Sequence, residues 1–65
     1  MNAIMIPVDS EAIAAVGYDG RTLTIEFTSG ETYPHPKVPE SVYRGLMGAS
    51  SKGRYYNTYI KGRYK

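Results

Sequence analysis

The segment Ile13-Ala14-Ala15-Val16-Gly17-Tyr18-Asp19-Gly20-Arg21-Thr22-Leu23-Thr24-Ile25-Glu26-Phe27 reads as a β-hairpin. Its second arm alternates cleanly, with Leu23, Ile25 and Phe27 on one face and Thr22, Thr24 and Glu26 on the other, the period of a half-buried strand. The first arm is ambiguous by itself: Ala12, Ala14 and Ala15 favour helix, whereas Val16 and Tyr18 favour strand. Asp19-Gly20 between the two runs is a two-residue hairpin signal and resolves the ambiguity, giving strands over 13–18 and 21–27. With Asp19 and Gly20 as the loop, Val16 faces Leu23 and Ala14 faces Ile25, so apolar meets apolar across the ladder.

Outward from the hairpin, Thr28-Ser29-Gly30 is a second turn. A three-residue loop with Gly30 left-handed pairs Phe27 with Glu31, Ile25 with Tyr33 and Leu23 with His35. A two-residue loop is the alternative and turns Tyr33 to the Glu26 face. Pro34 and Pro36 lack N–H donors, which makes this third strand an edge strand or one that ends early. Before the hairpin, Ile4, Ile6 and Val8 alternate with Ala3, Met5 and Pro7, a fourth strand that Pro7 confines to an edge. After it, Pro39-Glu40 opens a helix with Val42, Leu46 and Ala49 at helical spacing, weakened by Gly45 and Gly48. Ser50 or Ser51 ends that helix and caps a second one, from about Lys52 into the tail. On it Tyr56, Ile60 and Tyr64 share one side and Arg54, Lys61 and Lys65 the other. The expected fold class is α+β: a small antiparallel meander of three to four strands followed by two C-terminal helices on one face. Leu23, Ile25, Phe27, Val42 and Leu46 supply its core.

A chain of 65 residues is expected to make one small domain, 1–65. It has no cysteine and one histidine, so neither a disulfide nor a metal centre is expected, and no cofactor. Its longest apolar run is too short for a bilayer and its start lacks a signal's basic region, so the expected compartment is the cytoplasm, without membrane contact. Charge is unevenly placed. Residues 1–40 carry Arg21 and Lys37 against Asp9, Glu11, Asp19, Glu26, Glu31 and Glu40; residues 41–65 carry Arg44, Lys52, Arg54, Lys61, Arg63 and Lys65 and no acid. The net +2 hides a strongly basic last third, the quantity that matters for contact with a polyanion.

Seven of the eight aromatic residues are tyrosines. Any one of them is ordinarily a core-rim residue with a wet hydroxyl. Interleaved with cations, as in Lys52, Arg54, Tyr55, Tyr56, Tyr59, Lys61, Arg63, Tyr64 and Lys65, they also suit stacking on unpaired bases while the cations follow phosphates. Such tails bind acidic proteins and membranes as well. His35 has no neighbouring carboxylate to orient it as a base, and packing on a strand is its ordinary use. None of the serines lies in a G-x-S-x-G elbow, and Gly48-Ala49-Ser50-Ser51-Lys52-Gly53 lacks the order of a phosphate loop. No catalytic residue is assigned, and an enzyme is not expected.

The order of these motifs resembles the KTSC domain family. The residues that carry it are Val16-Gly17-Tyr18-Asp19, Leu23-Thr24-Ile25-Glu26-Phe27, Ser29-Gly30, Tyr33-Pro34-His35, Val38-Pro39 and Ala49-Ser50-Ser51-Lys52-Gly53-Arg54-Tyr55-Tyr56-Asn57-Thr58-Tyr59-Ile60-Lys61. The family is named for a C-terminal domain of some lysyl-tRNA synthetases and also occurs as short stand-alone proteins of bacteria and phages. Its central Tyr-x-Tyr stands here as Tyr33-Pro34-His35, which keeps a ring but loses the second phenol. The resemblance implies RNA binding and supplies no catalytic residues. The expected function is therefore non-catalytic binding of RNA or single-stranded nucleic acid, with Lys52, Arg54, Lys61, Arg63 and Lys65 on phosphates and Tyr33, His35 and Tyr55 as stacking platforms. The alternative is a protein–protein module, a phage or mobile-element product seated on a host protein's acidic surface. Self-association as a homodimer through an exposed edge strand is compatible with either.

Overall fold

The computed structural model describes residues 4–64. Four strands, β1 (Ile6–Pro7), β2 (Ile13–Tyr18), β3 (Leu23–Phe27) and β4 (Thr32–His35), form one antiparallel sheet in the order β1-β2-β3-β4. Helix α1 (Glu40–Gly48) and a short α2 (Lys52–Tyr55), which runs on as a π-helical turn (Tyr56–Ile60), complete the α+β chain. Ile13, Val16, Leu23, Ile25, Val38, Leu46, Tyr56 and Ile60 form the buried core between sheet and helices. Phe27 packs against it but is only half-buried, so it belongs to the rim rather than the centre.

The hairpin register differs from the expected one. Val16 pairs with Ile25 and Tyr18 with Leu23, and Asp19 N–H donates to the Thr22 carbonyl, so Gly20-Arg21 occupy the loop. Gly20 has φ +95°, while Asp19 is not left-handed, so the turn lacks the paired positive φ values that an Asp19-Gly20 loop of type I′ requires. Asp19 instead accepts the Arg21 and Thr22 N–H groups on Oδ1, at 2.9 and 2.7 Å. Moving the loop by one residue slides the ladder by two, which keeps every side chain on its face. A bulge between Ile13 and Ala15 then brings Ile13 opposite Phe27, on the same side as Val16. This irregularity is why the first arm showed no clean alternation.

The second turn follows the three-residue expectation. Phe27 N–H donates to Glu31, Gly30 has φ +101°, and Ile25 and Leu23 pair with Tyr33 and His35. Strand β1 is shorter than its sequence pattern, and Ile4 and Ile6 are 82% and 42% exposed rather than packed. Pro39 sits at the N-cap of α1, one residue before the helix proper. Tyr18 ties the strand–helix connection down: its hydroxyl donates to the Val38 carbonyl and its ring stacks on Tyr43 of α1 at 4.6 Å.

Helix α2 does not continue into the tail. Its continuation widens to the π form, closing with Lys61 N–H on the Tyr56 carbonyl, and the chain leaves the helix at Lys61, with Gly62 at φ +79°. The helical spacing on which a stripe of Arg54 and Lys61 was expected therefore ends at Ile60. A wheel of 100° per residue holds only while the helix is α, and Lys61 lies beyond its end; Lys65 lies outside the described residues.

Candidate functional site

The sheet face that packs against the helices is not fully covered. Tyr33 shares that face with Ile25, yet at the edge strand β4 the helices no longer reach it, and it is 45% exposed. The uncovered strip forms an open groove of about 650 Å³, lined chiefly by Phe27, Tyr33, His35, Tyr56, Lys61 and Tyr64. Its aromatic side chains are packed edge to face. Phe27 meets Tyr33 at 5.8 Å and Tyr56 at 5.2 Å, and His35 meets Tyr56 at 5.4 Å.

His35 is held from both sides. Its Nδ1 lies 2.9 Å from the Tyr64 carbonyl, which can only accept, so Nδ1 carries the proton. In the neutral ring Nε2 is then an acceptor, and the Tyr56 hydroxyl donates to it at 3.2 Å. This pair of bonds ties the last described turn to β4. With both nitrogens engaged and 7% exposure, His35 is a fastening residue and not the stacking platform expected from its ring. Burial pushes the Tyr56 phenol above its usual range.

Tyr33 keeps a ring open to the groove. Its phenol donates to Glu31 Oε2 at 3.0 Å, and that bond to a carboxylate raises it above the usual phenol range. Lys61, released from the helix by the π turn, is the groove's cation, and Glu31 is its anion. Tyr55, expected as a platform, is instead half-buried against α1 at Gly45 and tilted on Tyr59 at 4.6 Å, away from the groove-lining residues. The other expected cations are spread. Lys52 donates to the Ala49 carbonyl at 3.1 Å, Arg63 reaches the Thr58 carbonyl at 3.4 Å, and Arg54 is exposed on α2. Arg44 pairs with Glu40 on the outside of α1.

The groove brings together Tyr33, His35 and Lys61 from the residues singled out in sequence, and leaves out Lys52, Arg54, Tyr55 and Arg63. Sequence reasoning missed Glu31 as a site residue, although a Glu two positions from an aromatic on an edge strand was a legible signal. Among the described residues no group of three or more His, Asp or Glu side chains could hold a metal ion, and no helix is long and apolar enough to cross a membrane.

Residues 9–64 match the KTSC domain family. A protein of Tsukamurella paurometabola is 43% identical over 63 residues, covering 94% of each chain. A lysine–tRNA ligase of Nostoc punctiforme is 53% identical over 45 residues, which are 69% of this chain but 8% of the ligase. The crystal structure of a KTSC domain protein from Yersinia pestis superimposes with a TM-score of 0.94 at 38% identity, covering 98% of this chain and 93% of that one. The family thus occurs both as stand-alone proteins and within some lysyl-tRNA synthetases, and this chain belongs to the KTSC domain family.

Proposed function

We propose that the protein binds RNA or single-stranded nucleic acid without catalysis, and that the Tyr33–Lys61 groove is where it does so. The observation that carries this reading is an exposed tyrosine ring on the sheet face in a groove that a lysine also lines, in a chain whose last third holds six basic residues and no acid. An unpaired base stacks on the ring, Lys61 takes the adjoining phosphate, and Arg54, Arg63 and Lys52 supply a diffuse positive field. The occurrence of related sequence in a lysine–tRNA ligase supports an RNA ligand.

The test is fluorescence anisotropy with a labelled single-stranded octanucleotide across a salt series. Tyr33→Ala should cost about 1–3 kcal/mol of binding, the worth of one stacked base. Lys61→Ala should reduce the salt slope by about 0.7, one phosphate's share on a single strand. Arg54→Ala should have the smaller effect. Absence of salt-dependent binding to RNA or single-stranded DNA at micromolar concentration overturns the reading.

The exposed Ile6 of edge strand β1, with exposed Ile4 just before it, favours a second reading, a protein–protein module. A partner seated there is lost with Ile6→Asp and is insensitive to nuclease.

A further inference from the structure

We infer that the groove also reads the base it holds, taking guanine ahead of uracil, and that Glu31 does the reading. This rests on the single-strand reading above. A carboxylate is out of place in a site that meets only phosphates, because like charges repel. Yet Glu31 lines the same groove as Lys61, and its Oε2 accepts the Tyr33 hydroxyl at 3.0 Å. The Ser29 hydroxyl approaches Oε1 at 3.5 Å. The Tyr33 bond places the carboxylate at the phenol end of the stacking ring and leaves lone pairs on both oxygens.

A base lying on Tyr33 turns its hydrogen-bonding edge to that end of the ring. Guanine presents two adjacent donors there, N1–H and the 2-amino group, which match the two carboxylate oxygens in a charge-assisted pair. Adenine and cytosine offer one amino group beside a ring nitrogen that accepts. Uracil offers one N–H between two carbonyls, and the carboxylate repels both. The order that follows is guanine, then adenine and cytosine, then uracil. Stacking alone does not produce this order, since every base has a π-face.

The experiment compares an octauridine with octamers carrying one central guanosine, inosine, adenosine or cytidine, at fixed salt. Guanosine should tighten binding at least about fivefold over uridine, the lower end for a bidentate base contact. Inosine, which lacks the 2-amino group, should recover only part of that gain. Glu31→Gln keeps an acceptor for Tyr33 and removes the charge. It should bring the guanosine preference below about twofold while tightening octauridine binding, because a negative charge has left the path of the backbone. Equal wild-type affinity for all five octamers overturns base reading and leaves single-strand binding standing. Absence of binding to any of them overturns both. A guanosine preference undiminished in Glu31→Gln overturns the role given to Glu31.

Discussion

The phenol of Tyr55 occupies the space that a side chain at Gly45 would need: a β-carbon there would lie 2.7 Å from Tyr55 Cζ and 3.1 Å from Cε2. The glycine that weakens α1 by propensity is thus the seat of the second helical segment. Gly45→Ala gains roughly 1 kcal/mol of helix propensity but forces Tyr55 off its contact with Tyr59, and overpacking of this kind costs about 1–3 kcal/mol. The substitution should lower the melting temperature in the native chain. In a Tyr55→Ala background it should raise it, a reversal of sign that thermal melts of the four proteins detect.

At the hairpin, Gly20→Val should destabilise by about 1–2 kcal/mol, because a branched residue pays the left-handed penalty at φ +95°. Urea titration followed by circular dichroism measures it.

Asp19, next to that glycine, adds a pH dependence. The N–H groups of Thr22 and then Arg21 hold its carboxyl below the usual carboxylate value. A group depressed in the folded state contributes stability above its unfolded value and loses it as pH falls through the folded one. Stability should therefore decline below about pH 4, and Asp19→Asn should shrink that decline. Chemical denaturation at pH 2 to 7 for both proteins supplies the comparison.

His35→Phe keeps a ring but leaves the Tyr56 hydroxyl buried without its partner and the Tyr64 carbonyl without a donor. A cost of about 1–3 kcal/mol is expected. Adding Tyr56→Phe removes the stranded hydroxyl, so the double variant should be less destabilised than the two single costs combined. Faster amide exchange at Arg63 and Tyr64 in His35→Phe would mark release of the terminal turn.

Ile25 and Phe27 lie two residues apart on one face and should respond differently. Ile25 is fully buried, and Ile25→Ala should cost about 2–5 kcal/mol, most of what a domain this size holds. Phe27 is half-buried at the groove, and Phe27→Leu forfeits its two edge-to-face contacts, about 1–3 kcal/mol together. That variant should remain folded by circular dichroism at 25 °C while binding single strands less well.

Strands, turns and helix starts were legible where one local rule acted alone: alternation in Leu23–Phe27, Gly30 at a three-residue turn, Pro39 before α1. They blurred where two rules met. The bulge at Ile13–Ala15 interrupts a period of two, and Asp19-Gly20 looked like a loop because Asp19 caps the turn rather than sitting inside it. The groove was hidden for another reason. Its walls come chiefly from residues 27–35 and 56–64, distant in sequence, and the π turn ends the helix at Ile60 and leaves Lys61 lining the groove that Tyr33 also lines. Helical periodicity extrapolated past Ile60 placed that lysine on the wrong side.

Because every strand in the order β1-β2-β3-β4 pairs with its neighbour in the chain, no part of the sheet waits for a distant segment before it can form. Mixed α/β chains with such local pairing fold faster than sandwiches, whose partners are far apart in sequence. The strand pairings can thus form in the order in which the chain is made, before the helices that supply Leu46, Tyr56 and Ile60 close the core. Such a sheet brings its own strand partners with it, whether the sequence stands in a short chain or within a longer one.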